Sequence, residues 1–234
     1  MPVPLEAIIL AGGQGERLGA AAAGRPKSLV EVAGRPLAAY QVGRLARAGV
    51  RRVIFACALG QGDLFVDALS GLGAEIVAAE EPERLGRGGG IRFAAGFRET
   101  TGDVLALNGD ELLDVDFAGL VARHEAGGGA ATITVARPKS QFGLVDIDDD
   151  DRVRGFEEAG FVPYWVNCGT YVLSEAAVGR FPERGDHEST TFPELAAEDR
   201  LRAFRHAGLW LTVNTPKELR IADDHVAAHP EWLA

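Results

Sequence analysis

The chain has 234 residues, of which 47% are hydrophobic and 25% charged, and its formal net charge is −10 at pH 7. A chain of this length can bury a substantial core and fits one α/β domain better than two, so residues 1–234 are expected to form a single domain. The acidic balance argues against a protein that holds nucleic acid by its phosphates, because such a protein needs a basic face.

The sequence carries no targeting or membrane signal. No basic stretch followed by an apolar run opens the chain, and no window approaches about eighteen consecutive apolar residues. Cys57 and Cys168 lie far apart and match no disulfide or metal spacing, which is typical of buried free thiols in a cytoplasmic protein. We therefore expect a cytoplasmic protein with no membrane partner; a homo-oligomer is compatible with the sequence.

The first two-thirds of the chain alternates apolar runs with helical patterns. Short apolar runs predict buried parallel strands at 7–10, 53–56, 76–78 and 104–107. Apolar residues at helical spacing predict a helix that follows Pro36 and ends near Gly49. A second helix is predicted to follow the glycines at 88–90 and to run from Ile91 to about Phe97.

The remaining third turns to hairpins. Alternating residues predict strands of a mixed sheet at 131–135, 143–147, 153–156 and 171–173. The acidic run 146–151 is interpreted as a solvated hairpin tip rather than a cation site. Short helices are predicted near 174–180 and 193–198, and Pro216 opens a closing helix that reaches about Ala228. Strands alternating with helices predict a three-layer α/β/α sandwich around a Rossmann-like mixed sheet.

A glycine-rich turn follows the first predicted strand. Glycines let backbone N–H groups approach phosphate oxygens, because no Cβ stands in the way, and open α/β sheets bind ligands at the carboxyl edge of their strands. Arg17 can fork onto a polyphosphate, and Lys27 can act as a point charge. The predicted nucleotide-binding residues of this turn are Leu10, Ala11, Gly12, Gly13 and Gly15.

Two commoner glycine motifs do not fit this turn. Leu18 stands where a dinucleotide-binding loop needs a small residue. A P-loop needs glycine directly before its lysine, but Arg25 and Pro26 separate Gly24 from Lys27. The two commonest phosphate-binding loops are therefore excluded.

The turn and the segment after it share one extended pattern, which is Gly12-Gly13-x-Gly15-x-Arg17-Leu18 followed by Pro26-Lys27-x-Leu29-x-x-Val32-x-Gly34-x-Pro36. This pattern resembles the opening of the sugar-1-phosphate nucleotidyltransferases. The resemblance implies a GT-A-like nucleotidyltransferase fold in which the loop wraps a triphosphate. It places Arg17 on the β- and γ-phosphates and Lys27 near the α-phosphate. The bland segment 19–24 between the two halves is interpreted as a mobile flap.

A second glycine segment is assigned to the base and ribose. Residues 85–91 resemble the family's Leu-Gly-Thr-Gly-Gly-Ala segment, which implies nucleotide contact at Gly86. Arg87 replaces the usual threonine, so its contacts are not carried over. Glu81 stands where relatives read the base edge, and a carboxylate that accepts from the two N–H donors of guanine favours GTP over UTP. A surface carboxylate is the alternative for Glu81.

The strand predicted at 104–107 ends in Asn108-Gly109-Asp110. Oxygen ligands suit Mg²⁺, which usually takes one or two protein groups plus substrate phosphates. The resemblance implies that Asp110 is the principal metal ligand and that Asn108 and Gly109 lie beside the nucleotide. A helix cap is the alternative for Asp110.

The second metal ligand departs from the commonest family pattern. Many relatives end with Trp-x-Asp-x-Gly-Thr, but Thr212 stands in the place of the acid. Another branch of the superfamily uses Val-Asn, which implies that Asn214 supplies an amide oxygen instead. One neutral ligand leaves the site a negative charge short, so Mg²⁺ without nucleotide is expected to bind weakly.

Three further segments resemble the sugar-binding side of the family, namely Phe142-Gly143, Phe156-Glu157-Glu158 and Val166-Asn167-x-Gly169-x-Tyr171. The resemblance implies sugar contacts from Gly143, Glu158 and Asn167. Ala159 replaces the lysine that often neutralises the sugar phosphate, so that contact is absent or comes from another residue. No hexapeptide-repeat tail follows, so no C-terminal left-handed β-helix is expected.

The resemblance covers residues 7–219 and implies transfer of a nucleotidyl group from an NTP to a sugar 1-phosphate, with Mg²⁺ as cofactor. GTP with a mannose- or heptose-type 1-phosphate is the first hypothesis, and UTP with an amino- or muramyl-sugar 1-phosphate is the second. One rival is another enzyme of this fold: a glycosyltransferase using Asp114-x-Asp116, or a molybdopterin or phosphocholine nucleotidyltransferase. The other is a nucleotide-sensing, non-catalytic paralogue, suggested by Thr212 and Arg87.

Overall fold

The computed structural model describes residues 3–13, 15, 17–19, 24–140 and 142–233. The strands, in chain order, are β1 Glu6–Leu10, β2 Glu31–Val32, β3 Arg35–Pro36, β4 Arg52–Ala58, β5 Glu75–Glu81, β6 Val104–Asn108, β7 Glu111–Leu113, β8 Ala131–Ala136, β9 Leu144–Ile147, β10 Val153–Glu157, β11 Val166–Leu173, β12 Leu201–Arg205 and β13 Trp210–Thr212. The α-helices are α1 Leu37–Arg47, α2 Gly62–Leu69, α3 Gly86–Ala95, α4 Phe117–Gly127, α5 Glu175–Gly179, α6 Thr191–Ala197 and α7 Pro216–Ala228.

Seven strands form the central sheet in the order β12-β8-β11-β6-β1-β4-β5. Neighbouring strands run parallel, except that β11 is antiparallel to both β6 and β8. The predicted mixed sheet is therefore confirmed. Because β1, β4 and β6 are parallel neighbours, their carboxyl ends meet at one edge, where the glycine-rich turn leaves β1.

Apolar residues on both faces of the strands bury the sheet between two helical layers. Ala7 and Ile9 of β1 pack in a cluster with α1, α2 and α4. Ile8, which points to the opposite face, packs in a second cluster with α3, α5 and α6. This alternation with helices on both faces is the predicted three-layer sandwich.

Several predicted boundaries hold, because local chemistry defines them. The helix predicted after Pro36 is α1, and Pro216 is the first residue of α7, with the Thr215 hydroxyl accepting from Glu218 N at the N-cap. The Asp116 carboxylate accepts from Gly119 N at 3.0 Å and caps α4, which supports helix capping over a metal role for this residue. The helices α2 and α4 and the strands β2, β3, β7, β12 and β13 were not predicted.

Two predictions about elements are wrong. The helix predicted to start at Ile91 begins at Gly86, so the glycines at 88–90 lie inside α3. Among the residues that the structure describes, the strands β9 and β10 pair only with each other, outside the central sheet. Between them the Asp148 carboxylate accepts from the backbone N of Asp150 and of Arg152, each at 3.0 Å, as a solvated hairpin tip requires.

Within the described residues, none of the helices combines the length and the apolar character that crossing a bilayer demands.

Candidate functional site

The glycine-rich turn after β1 is held against both neighbouring strands. Ala11 N donates to Ala56 O of β4 at 2.8 Å, and Gly109 N, just after β6, donates to Leu10 O at 2.9 Å. A Cβ on Gly109 would lie 2.5 Å from Leu10 O, so only glycine permits this approach. These bonds place Leu10, Ala11 and Gly109 at one sheet edge. Residues 20–23 of the predicted flap lie outside the described residues.

The other half of the motif folds back onto this turn. Lys27 N donates to Gly13 O at 3.2 Å, and Lys27 begins a short 3₁₀ helix that ends at Leu29. Gly15 has φ +65°, which suits glycine in a tight turn. Arg17 follows two residues later. The side chains of Arg17 and Lys27 therefore both lie at the open side of the turn, where they meet Asp110 and Asn214; we call this place the mouth of the turn.

Four side chains that the sequence singled out meet at this mouth. The Lys27 ammonium donates to Asp110 Oδ2 and to Asn214 Oδ1. Arg17 Nη2 donates to the same Asn214 oxygen at 3.2 Å. Two cations, one carboxylate and one amide oxygen thus converge from positions 17, 27, 110 and 214.

A small second sheet brings Asn214 to Asp110. Strand β7 follows Asp110 directly and pairs antiparallel with β13, which ends just before Val213. Val213 N then donates to Asp110 O at 2.9 Å. The backbone therefore fixes the spacing between Asp110 and Asn214 independently of their side chains.

Glu218 decides which residue of this segment faces the site. Its carboxylate accepts from Asn214 N at 2.8 Å and from the Thr212 hydroxyl at 3.1 Å. The Thr212 hydroxyl is thereby turned towards α7, whereas the Asn214 amide oxygen faces Lys27. Sequence reasoning missed Glu218, although Thr215-x-x-Glu218 is the spacing of a capping box.

The donor set at the mouth of the turn fits Mg²⁺. Asp110 and Asn214 present a carboxylate and an amide oxygen to one cation, the Lys27 ammonium. Mg²⁺ prefers such oxygens and takes the rest of its shell from phosphate and water. The described residues contain no group of three or more His, Cys, Asp or Glu side chains that could hold a metal ion. A magnesium ion here would therefore depend on substrate oxygens.

Glu111, next to the predicted metal ligand, is a buried carboxyl. Burial, followed by repulsion from Asp110, raises the pKa of Glu111 well above its usual range. Its Oε1 accepts from Asn108 Nδ2 at 3.5 Å. Gly169 of β11 lies so close that a Cβ there would overlap the Asn108 amide. Asn108 is half-buried and lies between Glu111 and Gly169.

Glu81 lies between the glycine-rich turn and α3. It is 8% exposed, and its Oε2 accepts from Leu85 N at 2.9 Å. A Cβ on Gly12 would lie 3.9 Å from Glu81 Oε1, and one on Gly90 would lie 2.6 Å from it. The surface-carboxylate alternative is therefore wrong. Burial raises the pKa of Glu81, and base reading by its carboxyl group stays a prediction.

The glycines of α3 admit a neighbouring backbone. A Cβ on Gly86 would lie 2.6 Å from Gly185 O, and one on Gly89 would lie 2.5 Å from Glu183 O. Gly88 N donates to Gly185 O at 2.9 Å. The glycines thus allow the backbone of segment 182–187 to pack directly against α3. The sequence pattern did not indicate this role.

The residues predicted to bind the sugar lie in two places. Gly143 precedes β9 and Glu158 follows β10, so both are at the open end of that hairpin, where Leu144 pairs with Glu157. Asn167 lies on β11 in the central sheet, where its Nδ2 donates to Tyr171 Oη at 2.8 Å. The structure therefore brings Gly143 and Glu158 together on the hairpin and holds Asn167 in the sheet.

Comparisons with known proteins identify the family of this chain. A family model described as nucleotidyl transferase matches residues 6–228. The mannose-1-phosphate guanylyltransferase catalytic subunit beta of Drosophila pseudoobscura pseudoobscura is 32% identical over 222 residues, which cover 91% of this chain and 60% of that protein. The mannose-1-phosphate guanylyltransferase of Mycobacterium tuberculosis is 31% identical over 233 residues, covering 92% and 62% respectively. The chain thus spans about three fifths of the length of these curated relatives.

A solved structure shows the same fold. The crystal structure of HddC from Yersinia pseudotuberculosis complexed with GMP-PN superposes with a TM-score of 0.72 and covers 95% of this chain and 99% of that chain. The two sequences are 24% identical. The superposition confirms the predicted nucleotidyltransferase fold.

Proposed function

Because the chain belongs to the nucleotidyl transferase family, we propose that it transfers a nucleotidyl group from a nucleoside triphosphate to a sugar 1-phosphate and releases pyrophosphate. Residues 1–234 act in this proposal as one nucleotidyltransferase domain. The observation that carries it is the convergence of Arg17, Lys27, Asp110 and Asn214 at the mouth of the glycine-rich turn. Two fixed cations beside glycine backbone are what a triphosphate requires.

The chemistry needs positioned charge more than proton transfer. The sugar 1-phosphate is already an anion near neutral pH, so its oxygen can attack the α-phosphorus in line without a general base. Arg17 holds the phosphates that leave as pyrophosphate, and Lys27 lies near the α-phosphate, where charge develops. Asp110 and Asn214 orient the Lys27 ammonium through the hydrogen bonds already present.

We propose Mg²⁺ as the cofactor, held by Asp110 and Asn214 when the nucleotide phosphates replace these oxygens as the partners of Lys27 and Arg17. When bound, it would neutralise phosphate charge in the transition state. Asn214 is neutral, so the two protein ligands contribute one negative charge in total, and the nucleotide phosphates complete the site.

GTP and a mannose-type 1-phosphate are the proposed substrates. The matched relatives carry the name mannose-1-phosphate guanylyltransferase, and the HddC crystal structure is a complex with GMP-PN. Glu81 supports this choice, because its Oε1 lies between Gly12 of the glycine-rich turn and Gly90 of α3. A carboxylate there accepts from the two N–H donors of guanine, which uracil does not offer as a pair.

Pyrophosphate release from GTP and mannose 1-phosphate with Mg²⁺ tests this proposal. We expect pyrophosphate and GDP-mannose in equal amounts, with no release when the sugar phosphate is omitted or EDTA is added. UTP with an amino-sugar 1-phosphate is the comparison reaction. Tight GTP binding without turnover on any of these sugar phosphates would contradict the proposal and support a non-catalytic role.

A further inference from the structure

Arg87 was given no role in the nucleotide site above, but its guanidinium forms ion pairs with two carboxylates. It lies in the first turn of α3, and its Nε donates to Asp186 Oδ2 at 2.8 Å. Its Nη1 lies 2.6 Å from Glu188 Oε2. The arginine that replaces the family's threonine therefore connects α3 to segment 186–188.

The other oxygen of Glu188 reaches the sugar side. Glu188 Oε1 accepts from Asn167 Nδ2 at 2.9 Å and from Tyr171 Oη at 3.1 Å. The Glu188 side chain is 27% exposed, whereas Tyr171 is fully buried. Glu188 thus bridges a cation on the nucleotide side and two polar groups of β11.

The hydrogen bonds fix which way the Asn167 amide points. Gly169 N can only donate, and it lies 3.0 Å from Asn167 Oδ1, so the oxygen must face it. Both N–H groups of Nδ2 are then directed at Tyr171 and Glu188. An amide oxygen has two lone pairs, so Asn167 has a single acceptor position left for a ligand.

We infer that Glu188, held by Arg87, is a positioning residue that orients the Asn167 amide oxygen to accept a hydrogen bond from a sugar hydroxyl. The inference rests on the proposed function, since it presumes a sugar 1-phosphate at Asn167. It also gives Arg87 a role through Glu188 instead of a direct contact with the nucleotide.

Equilibrium binding of mannose 1-phosphate tests the inference without requiring turnover. Titration calorimetry would measure its Kd in the presence of Mg²⁺ and a non-hydrolysable GTP analogue, and separately the Kd of the analogue. Glu188→Gln removes the charge that holds the Asn167 amide while keeping the shape. Because hydrogen bonds to charged groups contribute more than neutral ones, we expect the Kd of mannose 1-phosphate to rise about tenfold or more, with that of the analogue unchanged.

Two further variants separate positioning from general damage. Glu194→Gln is the matched control, because Glu194 also pairs with an arginine, Arg180, at 3.0 Å but on the surface; the Kd of mannose 1-phosphate for this variant should stay near that of the wild type. Arg87→Met should weaken mannose 1-phosphate binding, and Arg87→Lys should restore part of it. Glu188→Gln with unchanged affinity, or with equal losses for both ligands, overturns the inference.

The same experiment distinguishes this inference from the proposed function. If the wild type binds mannose 1-phosphate but releases no pyrophosphate from GTP, the proposed function fails while the positioning role stands on the binding data. If the wild type binds no mannose 1-phosphate, the positioning role is overturned as well.

Discussion

Lys27 combines burial with two oxygen acceptors at the mouth of the glycine-rich turn. It is 9% exposed, and its ammonium donates to both Asp110 and Asn214. A buried ammonium loses hydration, and here a carboxylate and an amide oxygen compensate for that loss. Because Arg17 shares the Asn214 oxygen, a phosphate entering the turn meets two cations that are already in place.

Replacing Lys27 should therefore affect the chemical step more than binding. Lys27→Ala is expected to lower kcat by about 10²–10³, the usual effect of removing one group that stabilises charge in the transition state. The affinity for GTP should fall less, since the proposed function leaves Arg17 and the glycine backbone to hold the phosphates. Steady-state pyrophosphate release and calorimetric GTP binding measure the two quantities.

Arg25 offers a matched control for this variant. It precedes Lys27 by two residues and is exposed, and its Nη1 donates to Glu31 Oε1 at 2.7 Å on the surface. Arg25→Ala removes the same charge from the same segment and should leave kcat near the wild-type value. Equal losses in both variants would mean that net charge, and not the position of Lys27, matters.

Site residues could be predicted from the sequence when they lie next to a strand end or a glycine. Asp110 comes soon after a buried strand, and parallel strands bring such ends together, so its proximity to the glycine-rich turn could be predicted. Glu188 could not, because it lies in an irregular segment and contacts Asn167, 21 residues earlier in the chain. Such contacts depend on how closely segment 182–187 packs against the α3 glycines, and no local sequence pattern predicts that packing.

At the scale of elements, α3 shows why a glycine cluster was misread. The sequence predicted a helix that only follows the glycines at 88–90, which is consistent with the low helix propensity of glycine. The helix instead runs through these glycines, because the backbone of residues 183–187 packs directly against it. Tertiary contact overrides propensity here, and the cost of glycine in a helix is offset by the close approach.

Gly89→Ala tests this explanation. The new Cβ would meet Glu183 O at 2.5 Å, so we expect destabilisation of about 1–3 kcal/mol from overpacking, despite the better helix propensity of alanine. Gly43→Ala in α1 is the control, since its Cβ would lie 3.6 Å from Arg47 Nη1, an ordinary contact. That variant should gain roughly 0.5–1 kcal/mol. Urea unfolding measures both, and similar signs would contradict the packing argument.

In the β9–β10 hairpin, by contrast, the secondary structure was predicted correctly and the tertiary pairing was not. Alternation correctly predicted two strands, but not the sheet they join. Val145, Ile147 and Val153 are each more than half exposed, so no buried face selects a partner in the central sheet. Gly143 and Glu158 consequently lie at the end of a separate hairpin.

At the scale of the molecule, different strands of the central sheet carry the proposed nucleotide-binding and sugar-binding residues. Strands β1 and β5, with β4 between them, carry the glycine-rich turn and Glu81, whereas β11 carries Asn167 and pairs with β6. Strand β6 ends at Asn108, next to Gly109 and Asp110, so the proposed metal ligand lies where the two halves meet. The antiparallel β11 is therefore the element that brings the proposed sugar side to the nucleotide side.

Segment 182–187 also couples global stability to pH through His187. This side chain is fully buried, and its ring stacks on Phe181 with the centroids 4.7 Å apart. Within the described residues, neither ring nitrogen has a hydrogen-bond partner. Burial lowers the pKa of His187 to about 4, and the nearby Asp186 carboxylate opposes that shift only in part.

The sign of the pH effect follows from the neutral folded form. An unfolded histidine takes up a proton near pH 6.5, whereas folded His187 resists protonation until about pH 4. Stability is therefore fully present above pH 6.5 and declines as the pH falls through this window. Since one pKa unit corresponds to about 1.4 kcal/mol, His187 should account for a loss of about 2–3 kcal/mol between pH 7 and about pH 4.5.

His187→Leu isolates this contribution. Urea unfolding at both pH values should show a smaller acid-induced loss in the variant than in the wild type, by about 2–3 kcal/mol. Replacing the imidazole ring by a leucine side chain also changes the packing. That effect on the free energy of unfolding is the same at both pH values, so it cancels when the two are subtracted. Identical losses in the two proteins would mean that His187 is protonated in the folded state, and the buried, unbonded ring described above would then be wrong.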